Sequence, residues 1–226
     1  MSPYLRQVRA IAWKDLVLEL RSRERLVSMG AFAVLAATLF AFSIDATRVR
    51  PGDVAAGLVW MTIVFGGLLG VGRTFQLESE DGAMTGVLTS PTPKDALYLG
   101  KTAANFALLY VVALLVLGVF MLFFSVELGP SPGLVVAVLG LGSLGFVALV
   151  TLFAAVTTGT SMGETLLPIL VFPLLLPLVV YGAGATARLM AGRPLAEVEG
   201  NVRMLAAFAV LALAAGTMLF RYVVED

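Results

Sequence analysis

The chain has 226 residues, of which 59% are hydrophobic and only 13% are charged, and its mean hydropathy is +0.97. This balance is far more apolar than that of a soluble domain, and it indicates a membrane protein with several spans. The net charge of zero does not favour a nucleic-acid partner, and the lack of any Cys or His excludes most metal sites and the commonest general base.

The first 25 residues form a charged, patterned segment that precedes the first apolar run. A helix over 3–25 would place one stripe of apolar side chains opposite Lys14 and Arg21. The stripe consists of Leu5, Val8, Ala12, Trp13, Leu16 and Leu20. It predicts an interfacial helix on the inner membrane surface, and the alternative is a basic lead-in that only enforces topology. The segment is too long for an ordinary signal-peptide n-region, so we expect no cleavage.

Six apolar runs, each long enough to cross a bilayer as a helix or close to it, make up the rest of the pattern. They lie at about 26–44, 54–72, 103–125, 133–157, 165–181 and 204–220. Because lipid requires every backbone polar group to be paired within its segment, we predict an all-α polytopic protein forming one membrane domain over 1–226. Ten of the fifteen Lys and Arg residues then lie on the side of the N-terminus, so both termini are predicted to be cytoplasmic.

The 73–92 segment, between the second and third spans, is the most informative stretch. Three carboxylates, Glu78, Glu80 and Asp81, precede Gly82. The functional interpretation is docking on a partner, and the alternative is a solvated loop. Neighbouring acids without an imidazole do not define a metal or acid–base site, so we predict neither here.

Helix signals flank the later spans. Thr92 before Pro93 predicts the start of a helix that continues into the third span. Glu164 lies at the start of the fifth span, where an acid suits a helix N-terminus, and a second cytoplasmic contact is its functional alternative. No charged residue lies at the middle of a predicted span, which disfavours an ion-coupled carrier.

Prolines and glycines mark helix packing within the spans. Three prolines in the fifth span invite kinks, which we interpret as packing features rather than a gate. They are Pro168, Pro173 and Pro177. The GxxxG pair of Gly66 and Gly70 predicts a close helix contact. The outer stretch 182–201 is interpreted as a polar loop or as one or two short helices.

The central part of the chain resembles the CcmB family, the heme exporter protein B of bacterial cytochrome c maturation. The matching pattern is Arg73-x-Phe75-x-x-Glu78-x-Glu80-Asp81-Gly82, then Leu88-x-Ser90-Pro91, then Tyr98-Leu99-Gly100-Lys101 with Asn105-Phe106. Supporting matches are Lys14-Asp15-Leu16 and Phe172-Pro173.

This resemblance implies an ABC-2-type permease of the inner membrane with a separate ATP-binding subunit on its cytoplasmic face. The 73–92 segment would be the coupling element, and the residues carried over to the ATPase contact are Glu78, Glu80, Asp81 and Gly82. Further implied partners are a heme-handling membrane subunit, a small membrane protein and an outer-face heme chaperone. The chain itself has no G-x-x-x-x-G-K-[ST] phosphate loop, so it is predicted to be a transport subunit and not an enzyme.

The work done would be heme delivery or release of the heme-loaded chaperone, driven by movement of the 73–92 segment. Because the chain has no His or Cys, we expect it to have no axial heme site and to bind no cofactor of its own. The candidates for contact with heme propionates at the outer face are Arg188 and Arg193. The alternatives are a general ABC-2-type exporter of a lipid, polysaccharide or drug, and a scaffold that moves nothing. An intramembrane enzyme is disfavoured, since the spans offer no charged pair and no His-supported nucleophile.

Overall fold

A computed structural model describes residues 2–45, 48–49, 51–75, 92–158 and 162–225. All regular structure in these ranges is helical, which confirms the all-α prediction. The helices are α1 (Pro3–Ser22), α2 (Glu24–Ser43), α3 (Pro51–Val71), α4 (Lys94–Phe124), α5 (Pro132–Thr157), α6 (Gly163–Met190) and α7 (Leu195–Glu225).

Six of the described helices, α2 to α7, are long and apolar enough to cross a membrane, so the protein is a multi-pass membrane protein with the predicted number of spans. Several of these helices are longer than their apolar runs. The 31 residues of α4 would extend about 46 Å, against a hydrocarbon thickness of about 30 Å. The helix begins at Lys94 with Pro93 as its cap residue, one position later than a Thr92 cap would place it.

The outer stretch 182–201 is neither a polar loop nor a pair of separate short helices. Instead α6 continues to Met190 and α7 begins at Leu195, so both spans extend into this stretch. Gly192, with φ of +70°, makes the turn between them. The loss of hydropathy does not mark the ends of these two helices, because helical hydrogen bonding continues beyond each apolar run.

The core of the bundle lies around α3 and α5. Trp60 of α3 is buried, and its Nε1 donates a hydrogen bond to Thr186 Oγ1 of α6 at 3.0 Å. Gly142 and Gly182 make room for the indole, since a Cβ at these positions would lie 2.0 and 2.5 Å from its ring atoms.

The glycine and proline patterns have clear structural outcomes. Gly66 and Gly70 face α2, where a Cβ on Gly70 would lie 2.2 Å from Met29 Sδ, and this confirms the predicted close contact. The three prolines lie inside α6, which nevertheless continues unbroken to Met190. Neighbouring helices α3, α5 and α7 pack against α6 and can compensate for the missing hydrogen bonds.

The N-terminal helix α1 packs against the first part of α4. Gly100 permits the contact, because a Cβ there would lie 2.7 Å from Ile11 Cβ and 3.0 Å from the Val8 carbonyl oxygen. Arg23 alone separates α1 from α2, and its φ of 56° turns the chain sharply at the point where the first span begins. The predicted helix is confirmed over residues 3–22, whereas Glu24 and Arg25 belong to α2, and the placement of α1 at the membrane interface stays a prediction.

Candidate functional site

A buried polar cluster fixes α1 to the end of the bundle. The buried residues of α1 are Asp15 and Glu19, with 7% and 3% of their surface exposed. Two carboxylates can be removed from water only if cations and hydrogen-bond donors compensate them. Those partners come from α2, from the turn that follows α3, from α4 and from α5. We call the following set the anchor cluster: Asp15, Glu19, Arg25, Thr74, Lys101, Asn105 and Thr151.

The centre of the anchor cluster is Lys101 of α4, which is only 2% exposed. Its ammonium donates to Asp15 Oδ2 at 3.2 Å and to the Thr74 carbonyl oxygen at 2.9 Å. The same nitrogen lies 4.8 Å from the centre of the Phe75 ring, within range of a cation–π interaction. On its outer side, Asp15 also pairs with Lys14, whose Nζ lies 3.1 Å from Oδ1.

The second ion pair spans the joint between α1 and α2. Arg25 Nε donates to Glu19 Oε2 at 2.6 Å, and the backbone N–H of Leu26 donates to Glu19 Oε1 at 3.0 Å. Glu19 therefore satisfies a backbone donor in the first turn of α2, where a negative charge is also favoured by the helix dipole. Arg25 Nη1 reaches Asn105 Oδ1 at 3.2 Å, which joins this pair to α4.

Asn105 extends the network to the turn that follows α3 and to α5. Its Nδ2 donates to Thr74 Oγ1 at 2.8 Å and to Thr151 Oγ1 at 3.2 Å. All three side chains are buried, with exposures of 6% or less. The cluster thus balances two carboxylates with two cations, and its polar groups tie α1 and α2 to the turn that follows α3, to α4 and to α5.

A separate contact holds the beginning of α1. The Tyr4 hydroxyl donates to Asp95 Oδ2, in the first turn of α4, at 2.7 Å. Burial and this contact with the carboxylate raise the pKa of Tyr4 to about 12, because ionisation would place a second negative charge beside Asp95.

The contacts described above hold the chain at both ends of the 73–92 segment. On the first flank, Thr74 accepts from Lys101, and the buried Phe75 ring stacks on Phe220 of α7 with centroids 5.8 Å apart. On the second flank, Asp95 is held by Tyr4. Whatever position the segment takes, its two ends are therefore fixed to α1 and α4.

The predicted site residues have different outcomes. Glu78, Glu80, Asp81 and Gly82 lie outside the described residues. Glu164 lies in the first turn of α6, as expected for an acid at a helix N-terminus, although its side chain is outside the described part of the chain.

Arg188 and Arg193 lie at the opposite end of the bundle, and both are exposed. Arg188 Nη1 donates to the Gly184 carbonyl oxygen at 3.2 Å and to Asn201 Oδ1 at 3.1 Å. The structure therefore does not bring either arginine near the anchor cluster.

Sequence reasoning missed the anchor cluster, although part of its signal was present. Asp15 and Glu19 occur at i and i+4 beside the apolar stripe of a helix that is otherwise basic, which is an unusual place for two acids. Lys101 and Asn105 belong to the pattern from Arg73 to Phe106, but no feature of the neighbouring sequence predicts that they contact α1 or α2. The partners are 86 residues apart for Asp15 and Lys101, and 80 for Arg25 and Asn105.

Comparisons with known proteins cover most of the chain, including every residue of the anchor cluster. A family model described as CcmB protein matches residues 6–225. The chain is 31% identical to a heme exporter protein B of Paracoccus denitrificans, over 82% of this chain and 84% of the relative. It is 30% identical to that of Pseudomonas aeruginosa over 80% and 79% of the two chains, and 29% identical to that of Escherichia coli K12 over 86% and 89%.

Proposed function

We propose that this chain, which belongs to the CcmB protein family, is the permease subunit of an ABC-type complex that handles heme in cytochrome c maturation. Support comes from the names of its relatives, from the six apolar helices and from the 73–106 signature. The proposed location is the inner membrane, with both termini in the cytoplasm. The chain works as a transport subunit and not as an enzyme.

The energy comes from ATP hydrolysis in a separate partner subunit. That subunit contacts the 73–92 segment through Glu78, Glu80, Asp81 and Gly82, and Glu164 provides a second contact. Glu164 belongs to α6, which begins at the same end of the bundle as the anchor cluster. The absence of a phosphate-loop motif from the sequence is consistent with this division of labour.

The observation that carries the coupling proposal is the attachment of both flanks of the 73–92 segment. A push on the segment displaces Thr74 and Phe75, and Lys101 passes that displacement to α4 and, through Asp15, to α1. Asn105 adds α5 through Thr151. Buried contacts of this kind have few alternative arrangements, so α1, α4 and α5 respond together rather than one at a time.

At the outer face, this movement delivers heme or releases a heme-loaded chaperone. The remaining partners are a heme-handling membrane subunit and a small membrane protein. Arg188 and Arg193 are exposed at that end and are suited to pairing with propionates. The chain holds no cofactor of its own in this scheme.

The test uses a strain that lacks this gene and measures holocytochrome c by heme staining. Complementation compares the wild type with the E78A/E80A/D81A variant and with the matched variant D53A/E197A/E199A, which removes three acids from the other end of the bundle. Membrane levels of each permease and its co-purification with the ATPase are measured in parallel. We expect only the first variant to lose ATPase binding and holocytochrome c while remaining inserted.

Two results would contradict the proposal at different levels. Normal holocytochrome c after deletion would refute the heme assignment and leave a general ABC-2-type exporter of a lipid, polysaccharide or drug. Lost holocytochrome c after deletion, with full activity of the E78A/E80A/D81A variant, would refute the coupling assignment alone.

A further inference from the structure

The charges of α1 are divided between its two sides. The acids of this helix are Asp15 and Glu19, and both point into the bundle, where Lys101 and Arg25 neutralise them. The exposed side instead carries Arg6, Arg9 and Arg21. Among the described residues, no ion pair joins these three arginines to a carboxylate. The outward surface of α1 is therefore cationic, although the chain as a whole has no net charge.

An apolar arc lies beside these cations. Leu5, Trp13 and Leu20 are 51%, 66% and 60% exposed. At about 100° per residue they fall within about 80° of each other on the helix, and Arg9 lies in the same arc. An indole at the edge of an apolar surface suits the boundary between lipid headgroups and acyl chains, and arginine side chains can extend from such a surface to phosphate.

The position of α1 puts this arc next to the start of the first membrane-spanning helix. The helix ends at Ser22, and the first membrane-spanning helix begins at Glu24, with Arg23 as the only residue between them. The docked side of α1 is already occupied by α4 through Gly100 and the anchor cluster. The apolar arc and the arginines are thus left facing outward beside the first turn of the first membrane-spanning helix.

We propose that this outward face of α1 is a binding surface for anionic phospholipids. Trp13 and Leu20 enter the headgroup boundary, and Arg9 and Arg21 pair with lipid phosphates. Turning both acids inward removes the charges that would repel an anionic surface, so the same side-chain arrangement that docks α1 also prepares its lipid-facing side. This surface does not depend on the cargo or on the ATPase contact proposed above.

The test uses the full-length chain in nanodiscs and the fluorescence of Trp13. The other tryptophan, Trp60, is buried in the bundle, so the difference between wild type and the Trp13→Phe variant isolates the Trp13 signal. Quenching by brominated phosphatidylglycerol is compared with quenching by brominated phosphatidylcholine at equal mole fraction. Because each cation near an anionic surface favours binding severalfold, we expect the anionic lipid to quench at least about twice as strongly.

Two double variants decide the origin of that preference. R9Q/R21Q should reduce the ratio to about one, as should high salt. The matched variant R48Q/R203Q removes two exposed arginines from the other end of the bundle and should leave the ratio unchanged. Equal quenching by both lipids in the wild type, or a preference that survives R9Q/R21Q, would overturn the proposal. If neither lipid quenches Trp13, the proposal is also overturned, since the face would then be covered by protein.

Discussion

Lys101→Met should lower the free energy of unfolding by about 3 kcal/mol, because it leaves the Asp15 carboxylate buried without its cation. The side chains of Lys101 and Asp15 are only 2% and 8% exposed, so water cannot replace the lost partner at the buried oxygen. Breaking a buried pair costs roughly 3–5 kcal/mol. The lower end applies here, because Lys14 remains 3.1 Å from the other carboxylate oxygen and is itself 47% exposed.

A double-mutant cycle separates this pair from the general effect of each substitution. Unfolding of the purified full-length protein is followed by circular dichroism in mixed micelles of increasing SDS fraction for Asp15→Asn, Lys101→Met and the double variant. The double variant should cost about 2 kcal/mol less than the two single variants added together. Additive single effects, within about 0.5 kcal/mol, would refute the claim that the two side chains interact specifically.

The exposed pair of Arg203 and Glu199 provides the control. Its side chains are 74% and 56% exposed, so solvent screens the attraction. The corresponding cycle, with Arg203→Met and Glu199→Gln, should give a coupling of at most about 1 kcal/mol. A coupling as large as that of Asp15 and Lys101 would show that the assay does not report burial.

Three further predictions concern the packing of α1 and of the bundle core. Gly100→Val should destabilise the protein by about 1–3 kcal/mol and speed tryptic cleavage near Arg21, because its Cβ would press on Ile11 and Val8. The control is Gly118→Val in the same helix, which should cost less because nothing lies within 4 Å of the new Cβ. Gly142→Ala should lower the thermal stability by a similar amount, because the new methyl group would press on the Trp60 ring, and the loss should be smaller in a Trp60→Phe background. An equal loss in both backgrounds would show that Gly142 is not needed to make room for the indole. The contact between Tyr4 and Asp95 should stabilise the protein fully below pH 10 and lose its effect as the pH rises towards 12, since Tyr4 ionises first in the unfolded chain. Tyr4→Phe should abolish this part of the pH dependence of the free energy of unfolding. An unchanged profile in that variant would contradict a stabilising role for the contact.

The spans could be predicted from the sequence because their signal is local. A membrane helix must be apolar over about 20 consecutive residues, whatever its neighbours are. Six runs meet this condition, and six described helices satisfy it in the structure. The true ends of α6 and α7 could not be read in this way, because a helix may continue as Gly182 to Met190 does after the apolar run has ended.

The contacts of α1 needed information that the local pattern does not contain. The helical wheel grouped Val8 and Ala12 with Leu5, Trp13 and Leu20, yet Leu5, Trp13 and Leu20 are exposed while Val8 and Ala12 are partly buried. Hydropathy assigns acids to the polar side, so it could not place Asp15 and Glu19 in a buried contact. That placement depends on cations supplied by α2 and α4.

The pattern from Arg73 to Phe106 identifies the family resemblance, but only the structure shows what its residues contact. Tyr98 is buried, donates to the Ala148 carbonyl oxygen at 2.8 Å and packs beside Gly216, so it fixes α4 to α5 and α7. Gly100 makes room for α1, and Lys101 anchors it. Within these four adjacent residues, Tyr98 thus contacts α5 and α7 while Gly100 and Lys101 contact α1, a division that a single periodicity of 3.6 residues would not reveal.

The distance along the chain between Asp15 and Lys101 also sets an order of events during synthesis. Because 86 residues separate them, Lys101, the buried cation for Asp15, is made roughly 4–17 s after the acid at ordinary rates of translation. Arg25 is available to Glu19 almost at once, but Asn105, which holds Arg25, arrives as late as Lys101. Docking of α1 through these contacts must therefore wait until the beginning of the third span has been made, so the N-terminal helix is the first element synthesised but not the first to reach its final position.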